Sequence, residues 1–419
     1  MLPNTNCLSG VHSLLDNDLY KFTMQQAIWL LYPNEKVTFQ FHNRTTECKL
    51  TTEGFQWLED QIQALAHLRL SSEERVWLEK SCPFFKTQYL DYLEKFTFNP
   101  KKHVSIKFDS DSKDLFISIE GIWHEVTLYE IPLLFLVSEA YFKFSDTEWT
   151  YDGQYEKALE KARVLLENGC KFMEFGTRRR RDYHTQEIIM SALAQAAKEY
   201  QEAAQDDEKS IQERGTLIGT SNVHLGRLFN LKPVGTMAHE FVMGISGAEE
   251  TTKDANRLTL EKWQQVYGSS LGIALCDTFT TEAFLREFSF DLASSLTGVR
   301  QDSGSPFEFV DKIIGHYKSL GINPASKVIV FSDGLDPERC IQLQKYATEK
   351  GIQCTFGIGT NLTNDFTNSL NGARSPAMNI VIKLREITGK QVVKLSDEQT
   401  KHTGSIEEIK AVKETLGIA

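Results

Sequence analysis

Hydrophobic residues return along this chain at two different spacings, and the two spacings divide it into segments of different character. In residues 16–31 the apolar side chains recur at helical intervals, and Pro33 follows as a helix-ending residue. Residues 37–42 alternate between apolar and polar side chains, as a strand with one buried face does. The same patterns predict helices over residues 53–68 and 72–78 and strands over residues 104–108 and 115–119. The first 150 residues are therefore predicted to form an α+β block.

From about Tyr151 onward the rhythm changes to short apolar runs, each ending in small or polar residues and followed by an amphipathic helical stretch. The apolar runs are residues 171–175, 217–219, 234–236, 271–276, 298–299, 328–331 and 353–356. Strands that alternate with helices predict a parallel sheet. Seven such units favour an irregular, TIM-like α/β barrel, whose ligands bind at the mouth formed by the C-terminal strand ends. An open doubly wound sheet is the alternative, because periodicity does not separate the two.

Two further stretches set the predicted domain boundaries. Strand-like runs return at residues 379–384 and 392–395, which suggests that the chain rejoins its N-terminal block. We therefore predict an N-terminal α+β domain of residues 1–150, completed by residues 365–419, and a barrel domain of residues 151–364. The nearly all-polar residues 200–214 are predicted to form an exposed excursion from the barrel.

Composition narrows the class of protein. The chain has 419 residues, of which 41% are hydrophobic and 25% charged, as expected of a globular protein. Its net charge of -11 argues against a nucleic-acid or membrane binder, so an anionic ligand would need a local positive cluster. Its seven cysteines are scattered without a Cys-x-x-Cys pair, and no apolar run reaches the roughly 18 residues that span a bilayer. These features predict a cytoplasmic protein and leave a shared nuclear pool open.

Four consecutive arginines, residues 178–181, directly follow one of the predicted strands. Such a run is often a solvated charge patch or an import signal, and as a nucleic-acid patch it would give the protein a different function. At the mouth of a parallel sheet, however, guanidinium groups and the backbone N–H groups of a helix start suit phosphates or carboxylates. We expect at least one of these arginines to bind an anion.

The residues after the other predicted strands suggest chemistry on a phosphorylated sugar. His239 could shuttle a proton or accept a phosphoryl group, with Asp277 as the carboxylate that orients its ring, although an isolated histidine is often structural. Asp302 and Asp333 offer carboxylates for hydroxyls and Mg²⁺, and the glycine loop of residues 357–360 offers backbone N–H groups for phosphate. A sugar hydrolase using Asp302 and Asp333 as paired carboxylates is an alternative. Spacings typical of a zinc site, a serine-hydrolase elbow or a Walker loop do not occur in the sequence.

Taken in order along the chain, these segments resemble the nicotinate phosphoribosyltransferases. The matching segments are residues 13–21, 174–180, 219–222, 235–240, 300–304, 356–360 and 379–384. The match covers most of the chain, and the combination is far more specific than any one segment. The arginine run and the polar excursion resemble the fungal branch of the family.

This resemblance implies a two-domain enzyme that joins nicotinate to 5-phosphoribosyl 1-pyrophosphate (PRPP), giving nicotinate mononucleotide and pyrophosphate. This is the first step of NAD salvage from nicotinate. ATP hydrolysis is coupled to the reaction through a phosphorylated histidine, and Mg²⁺ arrives with the pyrophosphate rather than in a metal cluster of the protein. The implied partners are nicotinate, PRPP and ATP, with no nucleic acid and no membrane. The resemblance leaves open whether the protein is a homodimer with shared active sites.

The resemblance also implies roles for individual residues. His239 is the implied phosphohistidine, and Thr236 and Arg300 are the implied nicotinate contacts. Tyr20, from the same or a partner subunit, and Phe175 would cover the two faces of the nicotinate ring. The residues implied to bind PRPP or its metal are Arg178, Asp302, Asp333, Gly359 and Thr360. In the related nicotinamide-using enzymes an acidic residue follows the Gly-Thr pair that matches Gly219 and Thr220. This chain has Ser221 there, which favours the acid as substrate, because a carboxylate would repel nicotinate.

Overall fold

The computed structural model describes residues 10–203 and 214–418, and in these ranges the chain is a mixed α/β protein. The helices are α1 Leu19–Leu31, α2 Thr52–Ala64, α3 Ser72–Ser81, α4 Thr87–Lys95, α5 Pro100–His103, α6 Trp123–Val126, α7 Glu130–Phe144, α8 Gln154–Glu167, α9 Tyr183–Ala203, α10 Val223–Leu228, α11 His239–Ala248, α12 Ala255–Tyr267, α13 Thr281–Glu287, α14 Phe290–Ser295, α15 Pro306–Ser319, α16 Pro337–Lys350, α17 Thr360–Thr363 and α18 Ile406–Leu416. The strands are β1 Lys36–Asn43, β2 Val104–Phe108, β3 Leu115–Ile122, β4 Lys171–Glu174, β5 Thr216–Thr220, β6 Lys232–Pro233, β7 Ile273–Leu275, β8 Gly298–Gln301, β9 Val328–Phe331, β10 Gln353–Ile358, β11 Phe366–Thr367, β12 Arg374–Ser375, β13 Ile380–Ile387 and β14 Lys390–Gln391. Most of the predicted excursion, residues 204–213, lies outside the described residues.

A seven-stranded parallel sheet forms the barrel. Its strand order is β6-β5-β4-β10-β9-β8-β7, so the first and last of these strands in sequence, β4 and β10, lie side by side. Their pairing brings the two ends of the repeat together, as a barrel does and the alternative open sheet does not. The barrel is open between β6 and β7, where Thr236 Oγ1 donates across the gap to the carbonyl oxygen of Ile273 at 3.2 Å. The prediction of an irregular α/β barrel is confirmed.

A five-stranded antiparallel sheet packs beside the barrel in the order β14-β13-β1-β3-β2. Strand β13 comes from the last tenth of the chain and pairs with β1 from its first tenth, with Leu384 opposite Phe39. The C-terminal segment therefore shares a sheet with the N-terminal block. The division of the chain into domains at residues 150 and 364 stays a prediction.

One helix, α7, fills the space where the two sheets meet. Its apolar stretch of residues 131–137 is completely buried. Pro132 is tolerated because it lies in the first turn, where a backbone N–H has no intrahelical partner to lose. Among the described residues, no helix combines the length and hydrophobicity needed to cross a bilayer.

Two strand predictions are wrong. Residues 234–236 follow β6 and do not belong to the sheet. Gly235 has a φ of +146°, and a Cβ there would lie 3.2 Å from the backbone nitrogen of Tyr20, so the chain leaves the sheet to pass close to α1. Residues 392–395 are buried, but among the described residues they form a single isolated bridge, from Lys394 to Thr403, and no strand. Leu395 instead donates its N–H to the carbonyl oxygen of Thr278 in the barrel.

Candidate active site

The predicted site residues meet at the C-terminal end of the parallel sheet. All except Tyr20 lie in a parallel strand or within a few residues of its C-terminal end: Phe175 and Arg178 after β4, Ser221 after β5, Thr236 and His239 after β6, Asp277 after β7, Arg300 and Asp302 at β8, Asp333 after β9, and Gly359 and Thr360 after β10. Parallel strands that curl into a barrel bring these ends to one mouth. Tyr20 reaches the same place from the first turn of α1, because its backbone lies against Gly235.

His239 is the first residue of α11 and is nearly inaccessible, with 5% of its surface exposed. Its Nε2 lies 3.0 Å from Asp302 Oδ2, and its Nδ1 lies 3.0 Å from Thr278 Oγ1. Asp277, the predicted orienting carboxylate, is farther away, at 3.9 Å from Nε2. The ring is therefore oriented by Asp302 and Thr278, and sequence analysis did not identify Thr278.

Burial determines the charge of this imidazole. Burial, reinforced by the nearby ammonium of Lys394, lowers the pKa of His239 to about 4, despite the opposing carboxylates of Asp277 and Asp302. Burial tends to raise the pKa of Asp302, but Arg300 and His239 outweigh it, and the resulting pKa lies well below the ordinary range. An ionised carboxylate only accepts hydrogen bonds, so the proton of neutral His239 lies on Nε2 and the lone pair on Nδ1.

Asp277 and Asp302 give the mouth a group of oxygens that could contact a cation. Ligand atoms of His239, Asp277 and Asp302 all lie within 4.8 Å of one another. Ser303 Oγ donates to Asp277 Oδ2 at 2.5 Å, whereas Asp277 Oδ1 is buried without a hydrogen-bond partner among the described residues. Carboxylate oxygens are the ligands that Mg²⁺ prefers, so this group fits a contact with Mg²⁺ brought by the pyrophosphate, and it adds Asp277 to the Asp302 that sequence analysis offered for this metal.

Arg300 is held by residues of the neighbouring strand ends. Its Nη2 donates to Asp302 Oδ1 and its Nε to Ser332 Oγ, both at 2.8 Å. One edge of the guanidinium fork is therefore already in use. A nicotinate carboxylate would have to take up the remaining edge, where Nη1 lies 3.5 Å from the carbonyl oxygen of Met237.

Tyr20 and Phe175, the predicted covers of the nicotinate ring, are both half-buried at the mouth. Gly357 makes room for Phe175, since a Cβ at that glycine would lie 2.3 Å from the phenyl ring. Within the described chain, the two rings make no stacking contact with each other. The structure therefore brings both aromatic side chains to the mouth without closing one on the other.

Ser221 is in contact with an acidic residue that sequence analysis did not consider. Ser221 Oγ donates to Asp18 Oδ1 at 2.7 Å, and Asp18 is buried at the start of α1. Burial raises the pKa of Asp18, although hydrogen bonds from Ser221 and Thr177 and the charge of Arg178 oppose the shift. The absence of a carboxylate at position 221 thus does not leave this part of the mouth free of carboxylates.

The arginine run divides into structural and available side chains. Arg180 and Arg181 are completely buried: Arg180 forms a two-pronged ion pair with Asp16, with both N···O distances 2.8 Å, and Arg181 donates to Ser375. Arg179 donates to the backbone of Ile380. Arg178 makes no hydrogen bond or ion pair with the described residues. The alternative of a surface patch for nucleic acid or import is wrong, because Arg180 and Arg181 belong to the core. The expectation that at least one arginine of the run binds an anion stays a prediction, with Arg178 as the available side chain.

Further cationic side chains lie close to Arg178 at the mouth. Arg179 of the same run, Arg44 and Lys383 interact electrostatically with Arg178, and Lys394 interacts with Lys383. Sequence analysis did not identify Arg44, Lys383 or Lys394. Burial and the nearby Lys394 lower the pKa of Lys383 to about 7, and burial with Arg178 and Arg44 lowers the pKa of Arg179 to about 9. Cations held this close repel one another, and a bound anion would relieve that repulsion.

Asp333, Gly359 and Thr360 complete the mouth on the side of β9 and β10. Asp333 Oδ2 forms an ion pair with Lys401 Nζ at 2.7 Å, so it is held by the C-terminal segment of the chain. Gly359 lies against the backbone of Phe175, since a Cβ on this glycine would be 3.4 Å from the Phe175 carbonyl oxygen. Thr360 follows as the first residue of the short helix α17.

Comparison with known proteins agrees with this geometry. Residues 170–418 match the nicotinate phosphoribosyltransferase (NAPRTase) family, and residues 15–138 match its N-terminal domain. The chain is 46% identical to a probable nicotinate phosphoribosyltransferase of Schizosaccharomyces pombe, over 97% of this chain and 98% of that protein. It is 39% identical to the nicotinate phosphoribosyltransferase of Saccharomyces cerevisiae, over 97% of this chain and 95% of that protein.

Solved structures show the same fold. The crystal structure of a putative nicotinate phosphoribosyltransferase from Saccharomyces cerevisiae superposes with a TM-score of 0.93 at 37% identity, covering 99% of this chain and all of the other. The nicotinate phosphoribosyltransferase from Porphyromonas gingivalis gives a TM-score of 0.88 at 36% identity, covering 97% of this chain and all of the other. The chain therefore belongs to the nicotinate phosphoribosyltransferase family.

Proposed function

We propose that this protein transfers the 5-phosphoribosyl group of PRPP to nicotinate, giving nicotinate mononucleotide and pyrophosphate, and that ATP drives the transfer through phosphorylation of His239. This would make it the first enzyme of NAD salvage from nicotinate, with ligase-type coupling. The observation that carries the proposal is the neutral, buried imidazole of His239 between Asp302 and Thr278, next to a cluster of cationic side chains.

The transfer itself requires no proton abstraction by the protein. The pyridine nitrogen of nicotinate supplies its lone pair to C1 of the ribose as the bond from C1 to the pyrophosphate oxygen breaks, so the nitrogen becomes a pyridinium. The protein has to hold the two reactants in line and stabilise the leaving charge. Arg178 and Lys383 offer positive charge for the phosphates, and Tyr20 and Phe175 offer faces for the ring. Bound Mg²⁺ would neutralise the pyrophosphate, with Asp277 and Asp302 as the oxygens able to contact it.

His239 would act as a nucleophile toward the γ-phosphorus of ATP. The Nδ1 lone pair forms the N–P bond as the bond to the β-phosphate oxygen breaks, and ADP leaves. The Nε2 proton stays on the ring, where Asp302 stabilises the resulting positive charge. Water later cleaves the N–P bond and releases phosphate, which leaves His239 as it began.

Competing functions have less support. A sugar hydrolase would need one carboxylic acid protonated near neutral pH, and Asp302 has its pKa lowered instead. A homodimer with shared active sites stays a prediction, and one chain already brings Tyr20 to Gly235.

Labelling with ATP tests the histidine step. Incubation with γ-labelled ATP should give an acid-labile, base-stable label in the peptide that contains His239, and His239→Ala should abolish it while leaving some ATP-independent product. His224→Gln is the matched control, because His224 is also buried but its Nε2 lies 3.1 Å from the Tyr183 hydroxyl instead of at Asp302. A label that persists in His239→Ala would assign the phosphohistidine elsewhere.

A further inference from the structure

Two neighbouring helices each carry a site residue followed by a charged residue. Tyr20 and Lys21 are in the first turn of α1, and His239 and Glu240 are the first two residues of α11. Successive residues of a helix point about 100° apart, so Lys21 and Glu240 project in different directions from Tyr20 and His239. They meet in the core, where Lys21 Nζ donates to Glu240 Oε2.

The Lys21–Glu240 pair belongs to a closed polar network. Lys21 is completely buried, and its Nζ also lies 2.7 Å from Glu130 Oε2 on α7. The second oxygen of Glu240 accepts hydrogen bonds from Trp123 Nε1 at 2.8 Å and Thr127 Oγ1 at 2.7 Å. Both oxygens of Glu240 are therefore satisfied, and its position is fixed from three sides.

The loop before α11 runs beside α1, and successive residues of the loop contact successive residues of the helix. Gly235 lies against the backbone of Tyr20, Thr23 Oγ1 donates to the Thr236 carbonyl oxygen at 2.6 Å, and the Ala238 N–H donates to Met24 Sδ at 3.4 Å. Helix α1 thus touches this loop along its length. The Lys21–Glu240 pair is the charged contact at the end that leads to His239.

We propose that Lys21 is a positioning residue of the active site, which holds the nicotinate side at Tyr20 and the phosphoryl acceptor His239 at a fixed separation through its ion pair with Glu240. The part concerning His239 rests on the proposed function. Buried ion pairs add little stability compared with apolar side chains of similar size, and their best attested use is to fix one arrangement. Here the two partners directly follow Tyr20 and His239 in the chain, so an ion pair that fixes Lys21 and Glu240 also fixes these two site residues.

Glu240→Gln is the variant that tests this proposal. It keeps the shape of the side chain and an oxygen for Trp123 and Thr127, and Lys21 keeps Glu130 as a partner. Lys21→Met would instead leave Glu130 and Glu240 as two unpaired buried carboxylates, so loss of folding could obscure its effect. If Glu240→Gln does not fold, the double variant K21M/E240Q answers the same question, because it removes one charge of each sign and leaves one unpaired buried carboxylate, Glu130, instead of two.

The same two helices supply a matched control at their other ends. Glu249, directly after α11, accepts a hydrogen bond at 2.6 Å from the hydroxyl of Tyr32, which caps α1, and lies 3.6 Å from Lys262. Glu249→Gln therefore weakens the contact between α1 and α11 far from the site. A general loosening of the helix pair would appear in both variants, whereas a positioning effect would appear only in Glu240→Gln.

Three kinetic quantities decide the matter: the KM for nicotinate, the KM for PRPP, and the single-turnover rate of His239 phosphorylation by ATP. Displacing a reacting group by about 1 Å can lower the reaction rate by up to about 100-fold. For Glu240→Gln we expect the nicotinate KM to rise and the phosphorylation rate to fall, each by roughly 10-fold or more, while the PRPP KM stays within about twofold. For Glu249→Gln we expect all three to stay within about twofold of the wild type.

The proposal is overturned if Glu240→Gln leaves the nicotinate KM and the phosphorylation rate within twofold of the wild type. It is also overturned if all three quantities change together, or if Glu249→Gln has the same effect. If wild-type protein forms no phosphohistidine, the proposed ATP coupling fails separately, and the nicotinate KM alone decides whether Lys21 positions Tyr20.

Discussion

At the scale of single residues, the environment of His239 determines what this histidine can do. Its ring is enclosed, its Nε2 binds an ionised carboxylate, and burial keeps its pKa near 4. A histidine in water would be partly protonated near neutral pH and would lose its lone pair. His239 therefore keeps a nucleophilic lone pair throughout the physiological range.

This lowered pKa predicts a dependence of stability on pH. In the unfolded chain His239 titrates near its usual value of about 6.5, so between that pH and 4 the unfolded state binds more protons, and the free energy of unfolding falls as the pH falls. From pH 7 to pH 5 the contribution of His239 should fall by roughly 2 kcal/mol. Urea unfolding of the wild type and of His239→Gln at both pH values measures this contribution. It equals the loss of unfolding free energy from pH 7 to pH 5 in the wild type minus the same loss in the variant. Equal losses in the two proteins would mean that His239 is not held neutral by the fold.

The contact between Ser221 and Asp18 changes the basis of the substrate-specificity argument. The sequence suggested that serine keeps negative charge away from nicotinate, yet the Asp18 carboxylate lies against the Ser221 hydroxyl. Serine at this position donates a hydrogen bond to that carboxylate, which an acidic residue could do only while protonated. The preference for an acid or an amide substrate then depends on the charge of the Ser221–Asp18 pair.

Ser221→Asp should accordingly lower kcat/KM for nicotinate by at least about tenfold and raise the ratio of nicotinamide use to nicotinate use. Two like charges in close contact repel by about 4 kcal/mol at an effective dielectric constant near 20, before they relax or share a proton. Ser221→Asn, of similar size without the charge, is the control. If kcat/KM for both bases shows an unchanged ratio in Ser221→Asp, position 221 does not face the ring substituent.

At the scale of elements, the loop after β4 is anchored by two arginines of the run, Arg180 and Arg181. Arg180 stacks on Phe135 of α7, with its guanidinium carbon 3.9 Å from the ring centre, while it pairs with Asp16. Burial acts to raise the pKa of Asp16, but Arg180 reverses the direction and lowers it. This anchor fixes the loop from which Arg178 projects.

Arg180→Met should therefore destabilise the fold far more than the loss of an exposed pair. It leaves the buried Asp16 carboxylate without its charge partner, which costs about 3–5 kcal/mol of the free energy of unfolding. Arg163→Met removes the exposed partner of Glu199 on α9 and should lower the free energy of unfolding far less, because water and salt screen an exposed pair. Denaturant unfolding compares the two variants, and similar losses would contradict the anchoring role of Arg180.

The elements also show what could be predicted from sequence. Strand β9 has its predicted bounds, because a short apolar run between polar clusters predicts a buried strand in an alternating α/β pattern. Residues 234–236 look the same in sequence but leave the sheet at Pro233, because their partner is α1, more than 200 residues earlier. Lys383 and Lys394 were missed because lone lysines in strand-like runs look solvent-exposed. The pairing of β13 with β1 places Lys383, and the hydrogen bond from Leu395 to Thr278 places Lys394.

At the scale of the whole molecule, positive charge is concentrated at one place on an acidic protein. The net charge is -11, yet Arg44, Arg178, Lys383 and Lys394 lie so close around the barrel mouth that Arg178 lowers the pKa values of Arg44 and Lys383, and Lys394 also lowers that of Lys383. The N-terminal block, the barrel and the C-terminal segment each contribute to this group. Such a concentration would steer multiply charged anions, such as the proposed substrates PRPP and ATP, to the mouth.

Pyrophosphate release is the measurement that tests the central claim most directly. Purified protein is mixed with PRPP, Mg²⁺ and nicotinate, with and without ATP, and nicotinamide replaces nicotinate as the control base. The proposed function predicts pyrophosphate and nicotinate mononucleotide in equal amounts, a greater yield with ATP accompanied by ADP and phosphate, and little product from nicotinamide. Absence of pyrophosphate release with nicotinate would contradict the proposed transfer, and a yield that ATP does not change would contradict the coupling through His239.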